Sequence, residues 1–211
     1  PLMERRKDQD MHNLVFVFSD RQRFDTLSAY GNDYVQATNL NRLSRESLVF
    51  KNTYVTQAVC APARASIMTG LYPHSAGMPR NKLVMPKNIK SIADMVSEEY
   101  TKAYFGKWHL GNEVASQRGF DEWASGMETL RDEYTEQEYL EMDTSYHHFL
   151  IENGYEPDEV SLDRKIFSDS MRAALPAEFQ MATFFAERAV GFINDHKDDP
   201  FILYVSFLEP H

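Results

Sequence analysis

The strongest constraint on how this chain can fold is a set of short, unbroken apolar runs set between segments of helical periodicity. Leu14 to Phe18 reads LVFVF, and Phe201 to Phe207 reads FILYVSF. Neither run alternates apolar with polar residues, so neither suits a sheet with one wet face. Runs this short, rich in β-branched and aromatic residues, suit strands of a parallel sheet buried on both faces. A third strand is predicted over Lys102 to Gly106, KAYFG. Helical spacing appears between the runs. Leu40, Leu43, Ser47 and Phe50 share one face, with Thr38 or Asn39 as cap, and Ile89, Ile92, Met95 and Val96 mark a second helix. The longest helix is predicted over Ala177 to His196. Its apolar side carries Phe179, Ala182, Phe185, Ala189, Phe192 and Ile193, and Asp198-Asp199-Pro200 ends it. Strands alternating with helices predict an α/β fold, a doubly wound and mostly parallel sheet flanked by helices.

The 211 residues suffice for one domain with a core. Residues 1–12 read as a polar N-terminal tail and 13–211 as a single domain. A polar stretch at about 121–175, containing RDEYTEQEYLEMD, reads as a surface insertion suited to a lid. No apolar run approaches the ~20 residues of a membrane span. A net charge of −10 argues against nucleic acid or an anionic membrane as the main partner. A small anionic substrate stays open, because a local cationic pocket can sit inside an acidic protein. The polar start carries no signal-peptide pattern. A periplasmic or secreted location is expected if a leader has been removed, and a cytoplasmic one otherwise. A single cysteine forms no intrachain disulfide.

In doubly wound sheets, ligands gather at the carboxyl ends of the strands. Asp20 follows the first run, Lys107 and His109 follow KAYFG, and His211 follows the last run. The cysteine lies in Val59 to Gly70, VCAPARASIMTG. Pro62 suits the first turn of a helix, and Thr69-Gly70 suits its end. Cys60 then faces free backbone N–H groups and the positive end of the helix dipole. Arg64, four residues on, shares its face. A thiol in such an oxyanion site has a depressed pKa and is reactive.

This stretch resembles the signature of the type I, formylglycine-dependent sulfatases of the alkaline phosphatase-like superfamily. Cys60, Pro62, Arg64, Thr69 and Gly70 stand at the signature positions, followed by Leu71-Tyr72-Pro73-His74. Asp20 with Gln22-Arg23-Phe24-Asp25 resembles the family's metal-binding opening. Gly106 to Gly111, GKWHLG, resembles its lysine–histidine motif, and Phe201 to His211 its strand delivering a late histidine after a proline.

The resemblance implies that a formylglycine-generating or sulfatase-maturing enzyme oxidises Cys60 to formylglycine. One hydroxyl of the hydrated aldehyde attacks sulfur, and the second then loses its proton as the diol collapses and expels sulfate. Arg64 would hold the hydrate, Lys107 and His109 would bind sulfate oxygens, and His211 would reach the leaving-group oxygen as ligand or general acid. Asn81 is a further candidate sulfate contact. Asp20 and the modified Cys60 would ligate a divalent metal, Ca²⁺ ahead of Mg²⁺. The implied substrate is a small or oligosaccharide sulfate ester. The alternatives are a phosphate or phosphonate ester hydrolase of the same superfamily and an inactive sulfatase-like binding protein. His147 and His148 are expected outside the site, and Trp108 and Trp123 in packing.

Two departures from the family qualify this. Arg21 stands where the family carries a second metal ligand, and arginine has no acceptor atom. The family's domain also continues beyond residue 211, with further metal ligands and a lysine. The chain thus reads as the N-terminal part of such a domain. Alone it is expected to be inactive and to bind Ca²⁺ poorly, with Phe201 to Phe207 ending against a missing partner.

Overall fold

The computed structural model describes residues 11–127, 136–155, 160–161, 164–165 and 175–211. Four strands, β1 (Leu14–Ser19), β2 (Thr101–Gly106), β3 (Glu122–Ala124) and β6 (Phe201–Phe207), form a sheet in the order β1-β6-β2-β3. Every adjacent pair is parallel. A separate antiparallel pair joins β4 (Val160–Ser161) to β5 (Arg164–Lys165). The helices are α1 (Thr38–Glu46), α2 (Cys60–Thr69), α3 (Ile92–Met95), α4 (Gln137–Leu140), α5 (Ser145–Glu152) and α6 (Met181–Asp195).

The unbroken apolar runs fill both sheet faces, as the absence of alternation requires. Tyr104 of β2 and Tyr204 of β6 point to a core shared with Ala61, Ala65 and Met68 of α2 and with Trp108. Ala103, Phe105, Leu203 and Val205 point the other way, against Phe184, Phe185 and Phe192 of α6 and Leu150 of α5. The two tyrosine rings stack at 4.9 Å, with Phe16 and Trp123 stacked outside them, one row across all four strands.

Several elements differ from their sequence reading. β6 lies in the interior of the sheet, between β1 and β2, so it does not end against a missing neighbour. β1 is the edge instead. Phe16 and Phe18 pack on the α2 side, but Val15 and Val17 are exposed, because no described helix covers that face. α1 is shorter than its apolar spacing suggested. The Ser47 hydroxyl donates to the Leu43 carbonyl and its backbone turns extended, which leaves Phe50 outside. α3 spans one turn, started by a reciprocal Ser91–Asp94 cap and stopped by an extended Val96, so Ile89 precedes it. The longest helix starts at Met181 because Gln180 is extended, and Ala177–Phe179 forms a separate 3-10 turn. The polar stretch at about 121–175 opens with β3 in the main sheet, and α5 within it buries Tyr146, His147 and Leu150.

Gly106 ends β2 at φ +112°, where any Cβ would overlap the carbonyl oxygen of Ser206 on β6. Glycine is required there twice over, by dihedral and by space. Gly106→Ala is expected to cost about 2–4 kcal/mol of stability. Denaturant unfolding measures this, and an unchanged midpoint would show that β2 and β6 do not approach this closely.

Candidate active site

The carboxyl ends of β1, β2 and β6 and the N-terminus of α2 meet at one point. Val59 is the extended N-cap residue of α2, and Cys60 is the first helical residue. Val59 offers no side-chain cap, but the Asn81 side chain reaches over and its Oδ1 accepts the Ala61 N–H at 3.0 Å. Asn81 therefore holds the start of the helix that carries the cysteine. At the other end the Thr69 hydroxyl donates to the Ala65 carbonyl, and Gly70 closes the helix at φ +71°.

Asp20, buried just past β1, receives the Lys107 ammonium at 2.6 Å and contacts His211 Nδ1 at 2.8 Å. Its other oxygen lies 3.6 Å from Arg64 Nη2. Burial opposes its ionisation, but the Lys107 hydrogen bond and the Arg64 and Lys107 charges prevail and hold the carboxyl below its usual range. The His109 side chain, with help from Lys107 and Arg21, lowers the pKa of the Cys60 thiol from 9.0 to about 7, against burial and the charge of Asp20. Arg21 adopts φ +57°, and its side chain is the smallest of the influences that lower the thiol's pKa. The residue that breaks the family's pattern is thus an exposed cation at the margin of the site, near enough to act on the thiol.

Arg64 is buried with Nη1 on the Lys107 carbonyl at 2.5 Å and the Ser206 hydroxyl at 2.7 Å. Its guanidinium lies 5.0 Å from the Phe18 ring centroid. Two further donors, Nε and Nη2, are buried and find no hydrogen-bond acceptor among the described residues. Buried donors without acceptors are costly, and an anion in the site would remove that cost.

The structure therefore brings together Asp20, Cys60, Arg64, Lys107, His109 and His211, with Asn81 on the backbone of Ala61 beside Cys60. His147 lies apart, buried on α5 and 3.7 Å from Asp143. Trp108 and Trp123 pack in the core. Sequence reasoning missed Ser206, the penultimate residue of β6, whose hydroxyl faces the arginine. It also missed Glu113, a fully buried carboxylate in the loop after GKWHLG. Neither belongs to a recognisable spacing.

The expected metal receives a limited donor set. No cluster of three or more His, Cys, Asp or Glu side chains suited to a metal ion occurs among the described residues. Ca²⁺ takes about 6–8 oxygens. Here Asp20 faces the site with its oxygens already engaged by cations and an imidazole, so these residues by themselves do not fit calcium. The 211-residue chain is expected to gain no thermal stability from millimolar Ca²⁺, read as an unchanged Tm.

The sulfatase family model matches residues 12–211. An arylsulfatase of Hemicentrotus pulcherrimus is 31% identical over 94% of this chain, which spans 37% of that protein. An N-acetylglucosamine-6-O-sulfatase of Bacteroides thetaiotaomicron is 28% identical over 71% of the chain, equivalent to 26% of its own length. The crystal structure of a phosphonate monoester hydrolase of Agrobacterium radiobacter superposes with a TM-score of 0.65 at 20% identity. That match covers 94% of this chain and 41% of the hydrolase. The chain therefore spans well under half the length of these proteins.

The lowered thiol pKa makes a direct prediction for the unmodified cysteine. Alkylation of Cys60 should rise with pH through a midpoint near 7. His109→Ala should move that midpoint upward, since the imidazole hydrogen bond is its largest cause. Equal midpoints for the two proteins would refute the contact.

Proposed function

The chain belongs to the sulfatase family, and from that premise we propose that it carries the nucleophile and sulfate-binding half-site of a sulfuric ester hydrolase. The observation that carries this reading is the meeting of Cys60 at a helix N-terminus with Arg64, Lys107, His109 and His211 at one sheet edge. The substrate class we propose is a sulfated carbohydrate, supported by the similarity to the N-acetylglucosamine-6-O-sulfatase.

In this reading a maturing enzyme converts Cys60 to formylglycine, whose hydrated aldehyde supplies the attacking oxygen. The chain's own groups do the rest. A sulfate monoester carries one permanent negative charge, and Lys107, His109 and the N-terminus of α2 neutralise the charge that builds on its oxygens. Arg64, buried beside Asp20, adds a further positive charge to the same cluster. His211 donates Nδ1–H to Asp20, which leaves Nε2 to carry a proton to the departing alcohol oxygen. Asp20 thereby orients His211 and Lys107 together.

A phosphonate or phosphate ester presents the same tetrahedral oxyanion, and the fold is shared with a phosphonate hydrolase. Initial rates on an aryl sulfate and an aryl phosphonate separate the two readings.

Cys60→Ala in the full-length protein is expected to reduce aryl sulfate turnover by at least about 10³-fold, the scale of removing a covalent nucleophile. Retained turnover would overturn the mechanism. An inactive binding protein would instead show no turnover in the parent and a mass at residue 60 that still contains sulfur.

Arg21 calls for a separate measurement in that protein. Arg21→Gln removes a cation from beside Cys60 and supplies an oxygen. It is expected to tighten Ca²⁺ binding by calorimetry, and equal affinities would show that the arginine swings clear when metal binds.

A further inference from the structure

The loop that presents Lys107 and His109 is held from behind by one side chain. Glu113 is 0% exposed, and both of its carboxylate oxygens are engaged. Oε2 accepts the Trp108 N–H at 2.9 Å, and Oε1 accepts the His109 N–H at 2.6 Å. Two successive backbone N–H groups directed at one anion form a concave nest. Here the anion is the chain's own carboxylate. His109 needs this support, because it sits at φ +59°, a left-handed conformation that is strained for a non-glycine residue.

Glu113 is itself held in place. Its carbonyl accepts the indole N–H of Trp123 on β3 at 2.8 Å. The side chains of Asn112 and Gln117 tie down the loop around it, by hydrogen bonds to the Ala115 N–H and to the Asn112 and Ala115 carbonyls. A continuous path therefore runs from β3 through Trp123 and Glu113 to the backbone of His109, whose side chain is the strongest influence lowering the Cys60 thiol pKa.

We propose that Glu113 is a positioning residue for the reactive centre: by accepting both loop N–H groups it fixes His109 in the left-handed conformation that brings its imidazole onto residue 60. The inference rests on reading Cys60 and its neighbours as that centre. Burial pushes the Glu113 carboxyl up to about 7, against the pull of its two N–H donors and of the facing His109 and Arg64 charges. Near-neutral conditions thus hold both of its protonation states.

The test uses the single cysteine of the 211-residue chain as reporter, with iodoacetamide as probe at pH 7.5, where Glu113 is mostly ionised. The groups facing that thiol are His109, Lys107, Asp20 and Arg21. Glu113→Gln keeps the side chain's volume but turns an N–H donor toward one of the two loop N–H groups. Loss of the His109 contact is expected to slow alkylation about twofold, since the fall in thiolate fraction outweighs the gain in nucleophilicity as the thiol pKa rises. His109→Ala should slow it similarly, and adding Glu113→Gln to His109→Ala should change nothing further, because both act through one contact. The His109 amide proton, shifted far downfield by its short bond to a carboxylate, should move upfield in Glu113→Gln by NMR.

The sign is decisive. A carboxylate acting through charge alone would disfavour the thiolate, so its removal would speed alkylation. A faster or unchanged rate overturns the proposal, as does full additivity with His109→Ala. Should Glu113→Gln lose its near-UV circular dichroism, Glu113→Asp, which keeps the charge and both acceptors, is read in its place by rate and amide shift. Collapse of both variants would make Glu113 part of the fold rather than a positioning residue. None of these readouts needs ester turnover, so a failed sulfatase reading and a failed role for Glu113 are seen separately.

Discussion

The buried guanidinium of Arg64 is the interaction on which the rest depends. It projects from α2 into the gap between the ends of three strands. It meets Phe18 and Asp20 from β1, the Lys107 carbonyl from β2 and the Ser206 hydroxyl from β6. A buried cation is tolerated only where counter-charge and acceptors surround it. Each strand therefore has to arrive at its proper depth. Gly106 lets β2 and β6 close beneath the guanidinium, and the Tyr104 hydroxyl shares the Lys107 carbonyl at 2.5 Å. Tyr104, wholly buried, is held in its neutral form far above the usual phenol range. The carbonyl that positions Arg64 is thus the same group that fixes where the Lys107 side chain begins.

From this follows a division of labour within one cluster. The Nη1 edge of Arg64 is spent on the fold, while Nε and Nη2 keep unmet donors. Lys107 and His211 share one oxygen of Asp20, so a single carboxylate sets the direction of an ammonium and an imidazole. Cys60 lies at the end of these arrangements, tuned by an imidazole that a second buried carboxylate supports. Scaffold and site are thus built from the same hydrogen bonds.

Sequence made the centre of this arrangement legible and its supports much less so. The runs at 14–18 and 201–207 identified themselves because a strand buried on both faces needs no polar alternation. Cys60 to Gly70 was legible because helix start and stop chemistry coincide there with a family signature. The misses have local causes. β3 is three residues long, Glu122 to Ala124, and its sequence EWA carries no periodicity. α1 follows helical spacing but buries nothing, so the apolar pattern overstated its length. Ser206 acts through a guanidinium 142 residues away in sequence, and Glu113 through the backbone N–H groups of Trp108 and His109, which carry no side-chain signal. No pattern in one strand or loop reports a partner that only the sheet order brings near. The direction of Arg21 was undecidable for a related reason, since it depends on a positive φ at the end of β1.

The global charge and the local charge of this protein point in opposite directions, and burial explains how both hold. A net −10 spread over the surface is screened by salt within about 10 Å. Arg64 and Lys107, both almost fully buried, are screened far less, and beside Asp20 they outweigh it. The thiol reads that balance directly. Asp20 and desolvation push its pKa up, yet the imidazole, Lys107 and Arg21 bring it down to about 7. A site that stabilises a thiolate against a neighbouring carboxylate favours negative charge on the atom at position 60 whatever that atom is. In the proposed hydrolase the same field would favour an attacking oxygen and the sulfate oxygens beside it. Arg21 strengthens this field while subtracting from any cation site at Asp20. The chain's own residues thus suit an anionic substrate better than a bare divalent ion.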